Sequence, residues 1–132
     1  MSEANIEIVR RMYEHFAKGD IARMAETMSE DVLCVTAPDQ PDAQPFRGRA
    51  KFVAYGESWL EAFDSYEVEI TELVDRGDWV IVVGSVRAHG RSSGVVVEDD
   101  YGWLYRLRDG MVVEYHECGS KEEALEAAGF TD

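Results

Sequence analysis

From Tyr66 to Cys118 the chain follows a period of two. Tyr66, Val68 and Ile70 alternate with Glu67, Glu69 and Thr71, so one face of that segment is apolar and the other polar. WVIVVGSVRAH, VVVEDDYGWLYRL and MVVEYHEC continue in the same manner, separated by the turn-forming stretches DRGD, GRSSG and RDG. Four strands joined by short turns pair as antiparallel hairpins, because a parallel connection needs a long crossover. The pattern predicts strands near 66–75, 79–89, 95–107 and 111–118.

The remainder reads as helix. In ANIEIVRRMYEHFAKGD, Ile6, Val9, Tyr13 and Phe16 share one face of an amphipathic helix that Gly19 ends. Asp20 can cap a short second helix, IARMAETM, with Ile21, Met24 and Met28 on its apolar side. VLCVT is a short apolar strand. APDQPDAQP holds all three prolines and reads as a loop at a pocket rim, with little apolar material to anchor it. RGRAKFVAYGESWLEAFDS predicts a third helix with Phe52, Tyr55, Trp59 and Phe63 on one side. SKEEALEAAG predicts a last one, begun by a Ser120/Glu123 capping box and stopped at Gly129. Helices mostly preceding a hairpin-linked sheet point to an α+β fold, and 132 residues without a linker or repeat make one domain, 1–132.

The RDG turn decides which face of the last hairpin looks inward. A three-residue loop at Arg108-Asp109-Gly110 would pair Leu107 with Met111, Tyr105 with Val113, Trp103 with Tyr115 and Tyr101 with Glu117. One face then carries Tyr101, Trp103, Tyr105, Val113, Tyr115 and Glu117, and the other Leu104, Arg106, Glu114 and His116. A two-residue turn shifts the register by one and mixes aromatic with charged residues, so the three-residue loop is preferred. Glu117 is then a carboxylate among aromatic rings, where desolvation should raise its pKa. It is either a general acid/base in a pocket or a structural strand-end glutamate paired with a tyrosine or arginine.

Other features exclude more than they suggest. A formal net charge of −14 repels phosphate backbones and anionic lipid, so neither nucleic acid nor a membrane surface is an expected partner. Cys34 and Cys118 have no metal-ligand or disulfide spacing and fit a reducing cytoplasm. MSEANIEIVRR lacks the apolar run of a signal peptide or membrane span. His15, His89 and His116 are expected to face solvent, and Glu98, Asp99 and Asp100 form an acidic run without EF-hand spacing. No metal set, nucleophile elbow or phosphate loop is present, so no cofactor is expected.

IVRRMYEHFAKGDIARMAETMSEDV, FRGRAKFVAYGESWLEAF and YRLRDGMVVEYHECGSKEEALEAAG together resemble the SnoaL-like polyketide cyclases of the nuclear-transport-factor-like superfamily. The resemblance implies a cone-shaped, curved antiparallel sheet wrapped around the N-terminal helices, with an internal pocket. It also implies a homodimer packed through the outer sheet face, where Leu104, Val112 and Trp79 or Val80 would supply apolar surface. The tyrosine, aspartate and acidic donor of ketosteroid isomerases fall at Met12, Thr36 and Trp103, which argues against that chemistry. Limonene epoxide hydrolases carry an aspartate where Glu117 stands, but their arginine and second aspartate fall near Gly84 and Val86, with Arg87 adjacent and of opposite parity. SnoaL-like cyclases also place an acid/base aspartate at the Glu117 position. The expected site therefore has Glu117 as acid/base, Tyr101 and Tyr105 as orienting or oxyanion-donating groups, and Tyr13, Phe16, Met28, Phe52, Trp59, Trp103 and Tyr115 as pocket wall. The expected ligand is a small hydrophobic, oxygenated molecule. The chemistry would be cofactor-free, of cyclase, isomerase or hydrolase type. The rival reading is a non-catalytic small-molecule-binding or dimerisation domain, supported by the shortage of a second acid, base or metal set.

Overall fold

The structure, a computed structural model, describes residues 2–36, 44–91, 94 and 96–130. Four helices and six strands follow one another as α1 (Ser2–Ala17), α2 (Ile21–Met24), β1 (Met28–Val35), β2 (Phe46–Arg47), α3 (Arg49–Ala62), β3 (Phe63–Arg76), β4 (Trp79–Gly90), β5 (Val96–Arg108), β6 (Met111–Cys118) and α4 (Lys121–Ala127), with a 3-10 turn at Ala25–Thr27. The strands form one curved sheet in the order β2-β1-β6-β5-β4-β3. The fold is an α+β cone.

The four period-two segments pair antiparallel, as their short turns require. The sheet as a whole is mixed, which corrects the expectation of an all-antiparallel one. β1 runs parallel to β6, with Cys34 opposite Tyr115 and Val35 opposite His116. No hairpin links these two strands, so turn chemistry carried no information about their direction. Residues 37–43 of the APDQPDAQP loop lie outside the described residues.

The second helix is shorter than its apolar stripe suggested. Asp20 caps it, its side chain accepting from the Arg23 amide at 3.1 Å, but the chain tightens into the 3-10 turn after Met24 and enters β1 at Met28. In the third helix the predicted face is the packed one, with Phe52 only 4% exposed.

The β5–β6 hairpin reaches the expected faces by a different route. Its turn has two residues, with Arg108 paired to Met111, and Asp109 and Gly110 at φ 52° and 79°. This is the mirror-image turn that suits the twist of paired strands, and Asp and Gly are residues that tolerate it. Leu107 then pairs with Val112 and Arg106 with Glu114, leaving Val113 as a bulge. The shorter turn and the extra residue together slide the pairing by two positions from expectation. Tyr105 lies opposite Tyr115 rather than Val113, and Trp103 rather than Tyr101 lies opposite Glu117. A slide of two preserves the alternation, so Trp103, Tyr105, Tyr115 and Glu117 remain on one face.

That face is concave and is covered by α1, α2 and α3. Val9 and Met12 of α1, Ile21 and Met24 of α2 and Phe52 of α3 pack with Val80, Val82, Trp103, Tyr105 and Val112 in the main core. The convex face carries a second core, in which α4 lies over Val74, Ile81, Leu104 and Cys118. Leu104 is 0% exposed beneath that cover, and Val80 and Val112 belong to the concave core. Leu104, Val80 and Val112, expected to offer an apolar dimer face, are thus internal, Trp79 is half-buried beside the second core, and among the described residues the exposed large hydrophobic is Val96.

The seating of α4 yields a direct test. Ser120 caps the helix, its hydroxyl accepting from the Glu123 amide at 3.1 Å. A Cβ on Gly102 of β5 would lie 2.5 Å from the Ser120 carbonyl oxygen. Gly102→Ala must push the helix cap off the sheet and should cost about 1–3 kcal/mol of stability in urea unfolding. An unchanged midpoint would mean that α4 does not rest there.

Beside α4, Glu114 accepts from Arg106 at 3.1 Å and bonds the His116 ring at 2.9 Å, while the Arg106 guanidinium lies 5.2 Å from the Trp79 ring centre. His116 was expected to be solvent-facing. It does lie on the outer face, but only 16% of its side chain is exposed. Burial pushes the Glu114 carboxyl up, but the hydrogen bonds and charges of His116 and Arg106 outweigh this and hold it below its ordinary 4.5. A depressed folded pKa contributes stability above the unfolded value that is lost as pH falls through the folded one. Glu114→Gln should flatten the loss of stability below about pH 4.5 relative to wild type, measured by urea unfolding across the acid range. Parallel curves for the two proteins would contradict the pairing.

Candidate functional site

Three elements bring their aromatic residues to the concave face. Tyr13 and Phe16 lie one turn apart on α1. Phe52, Tyr55, Gly56 and Trp59 follow the i, i+3, i+4, i+7 spacing of one side of α3. On the sheet, alternate positions of β5 and β6 contribute Tyr101, Trp103, Tyr105, Tyr115 and Glu117. Together these residues surround a cavity of about 70 Å³. All six tyrosines of the chain line it, and among the described residues its charged lining residue is Glu117.

Glu117 is half-buried and held by hydroxyls. Tyr55 donates to the carboxylate at 2.9 Å from each oxygen, and Tyr115 donates to Oε2 at 2.8 Å. Tyr55 comes from the helical layer and Tyr115 from the sheet, so the carboxylate ties the two walls together. A second hydroxyl pair, Tyr13 and Tyr105, is joined at 2.7 Å. One proton of that pair is used between the two oxygens and the other remains to be donated elsewhere.

The phenols are held neutral. Burial raises Tyr55, Tyr66 and Tyr115 above 10, and the nearby Glu117 charge adds to this. Burial likewise raises Tyr105 and Tyr13, and Cys34, behind the same wall, is pushed up to about 12 by burial and then by Glu117. At neutral pH these groups are therefore donors and not bases. The two hydroxyls on Glu117 favour its charged form, against the desolvation its ring-lined surroundings impose.

Of the wall residues expected from sequence, Tyr13, Phe16, Phe52, Trp59, Trp103 and Tyr115 line the cavity. Met28 does not. It starts β1 opposite Val112 and is 0% exposed in the core, because the chain has left the helix on which its stripe position was counted. Tyr101 and Tyr105 both line the cavity, but Tyr105 is hydrogen-bonded to Tyr13, and Tyr101 sits opposite Gly84 on β4. Tyr55 and Tyr66 were missed. Tyr55 already stood on the predicted apolar side of α3, but its partner lies 62 residues away, beyond any local pattern. Among the described residues, no group of three His, Cys, Asp or Glu side chains is arranged to hold a metal ion. No described helix is long and apolar enough to cross a membrane.

Residues 9–115 match the family model described as the SnoaL-like domain. The chain belongs to the SnoaL-like family. The match ends two residues before Glu117, so membership alone assigns that residue nothing. No curated protein matches the sequence significantly. Solved structures are similar to this SnoaL-like chain over most of its length. An NTF2-like protein of unknown function from Burkholderia pseudomallei is 17% identical, with 93% of this chain and 95% of that one covered and a TM-score of 0.80. A protein described as a SnoaL-like polyketide cyclase, from Jannaschia sp., is 22% identical, with 88% and 85% covered and a TM-score of 0.78. A protein of ketosteroid isomerase-like fold from Catenulispora acidiphila, in complex with trimethylamine, is 16% identical, with 94% and 93% covered and a TM-score of 0.75. At these identities the likeness is one of fold.

Proposed function

We propose that this SnoaL-like protein binds a small, largely apolar organic molecule in the concave cavity and that Glu117 moves a proton on it. The observation that carries the reading is the carboxylate at the cavity wall, fixed within 2.9 Å of two neutral tyrosine hydroxyls. A base must be oriented before it can take a proton from carbon, and Tyr55 and Tyr115 supply that orientation. The Glu117 carboxylate would take a proton from the carbon next to a carbonyl. The C–H electron pair would then form a C=C bond as the carbonyl π pair moves onto oxygen, and the spare hydroxyl proton of the Tyr13–Tyr105 pair would hydrogen-bond the developing oxyanion. Return of the proton from Glu117 to another carbon would complete an isomerase-type step; in a cyclase-type step the enolate carbon would instead bond to a second carbonyl carbon of the same molecule, and Glu117 would give its proton to the alkoxide formed there. The Catenulispora neighbour of similar fold is itself in complex with a small molecule, trimethylamine.

One observation favours plain binding. Tyr55 engages both carboxylate oxygens, which stabilises the anion and makes it a weaker base. The two readings separate in heavy water. Enzyme action predicts catalysed exchange of α-hydrogens for deuterium, followed by NMR, in some member of a panel of small cyclic ketones. Binding without exchange across the panel would favour the non-catalytic domain.

A further inference from the structure

We propose that the occupant of this cavity carries a compact cationic group, a protonated or quaternary ammonium, with Glu117 as its counter-ion. The inference rests on reading the cavity as a ligand site, and it names the chemical class of the ligand.

Four observations point the same way. The first is the wall. Tyr13 lies 5.9 Å from Trp103, Tyr101 stacks on Trp103 at 5.3 Å, and Trp59 lies 6.5 Å from Tyr55 and 6.1 Å from Tyr66. Aromatic faces carry negative potential and attract a cation placed over them, tryptophan most strongly. The second is the charge of the lining, which among the described residues is that of one carboxylate. Its tyrosine donors favour the charged form. A neutral apolar guest would displace water from beside that carboxylate and add nothing to the hydroxyls that hold it, whereas an ammonium would add an opposite charge. The third is size. About 70 Å³ holds several water-sized groups, enough for a head group bearing a few methyls. The fourth is the approach. Tyr13, Phe16, Tyr66 and Val68 also line a groove between α1 and β3, whose charged side chains are Glu14, Glu67 and Arg10. With a formal charge of −14 on the chain, the surrounding field draws cations toward the site and repels anionic ligands.

The test compares choline with 3,3-dimethyl-1-butanol, its uncharged carbon analogue of the same shape, by calorimetric and tryptophan-fluorescence titration. Wild type should bind choline at least about tenfold more tightly. Glu117→Gln, checked for folding by circular dichroism, should reduce that preference to about threefold or less. Trp59→Leu keeps an apolar wall but removes the ring, and should weaken choline binding with little effect on the alcohol. Equal binding of the two probes, or a preference that survives Glu117→Gln, would overturn the assignment. If neither probe binds while small cyclic ketones shift the tryptophan signals, the cationic class is wrong and the ligand-site reading stands. If no compound perturbs the cavity, both fall.

Discussion

Glu117→Gln should lower α-hydrogen exchange on any ketone the protein turns over by about 100- to 10,000-fold, with little change in ketone affinity. That corresponds to roughly 3–5 kcal/mol of transition-state stabilisation. The substitution keeps the side chain's shape and one hydrogen-bond-accepting oxygen for Tyr55 or Tyr115, so the walls stay joined. What it removes is the site that can receive the proton. A drop in affinity equal to the drop in rate would mean that Glu117 only binds. Tyr55→Phe gives a graded control. It leaves the base but loosens it, so the rate should fall less and the pH at which exchange sets in should rise, because one donor favouring the anion is gone. A purely structural role for Tyr55 would leave the pH profile where it was.

Above pH 10 the protein should unfold cooperatively, and its tyrosines should ionise in that same transition. Five of them, Tyr13, Tyr55, Tyr66, Tyr105 and Tyr115, are raised above 10 mainly by burial. A group whose folded pKa is raised contributes stability that is fully present below its unfolded pKa and is lost as pH rises toward the folded value. Each such group removes about 1.4 kcal/mol per pH unit once the unfolded form titrates. Five acting together would remove up to roughly 7 kcal/mol per pH unit, enough to exhaust an ordinary domain's stability within one or two units. Tyrosinate absorbance and circular dichroism recorded against pH should move together. Gradual ionisation of most tyrosines near pH 10 in a still-folded protein would contradict the placement of these rings around an internal cavity.

Much of this architecture was legible from local pattern. Period-two alternation and the turns DRGD and RDG placed β3, β4, β5 and β6, and the Ser120 box placed α4. What escaped depended on partners distant in sequence. Nothing near β1 says that it runs parallel to β6. The burial of Leu104 depends on a helix that begins seventeen residues later. Met28 was misplaced because a stripe counted on one helix does not reveal where the helix stops.

The site shows the same division. Glu117 was assigned to the aromatic face from the wrong turn, and the face came out unchanged because the shorter turn and the Val113 bulge together moved the pairing by two positions. Alternation constrains parity far more strongly than it constrains register. Tyr55 illustrates the limit from the other side. Its helix face was clear, but its bond to Glu117 is a long-range contact that depends on how α3 sits across the sheet.

The central claim is that the cavity around Glu117 is where this protein meets its ligand. Protein-observed NMR with a set of small ketones, epoxides and amines tests it most directly. Shifts from any binder should concentrate on the indoles of Trp59 and Trp103 and on the amides around Tyr115 and Glu117, and should weaken when Trp59→Leu alters the wall. Binders whose shifts gather instead on the outer face, around Trp79, Arg106 and α4, with Trp59 and Trp103 unmoved, would contradict the account.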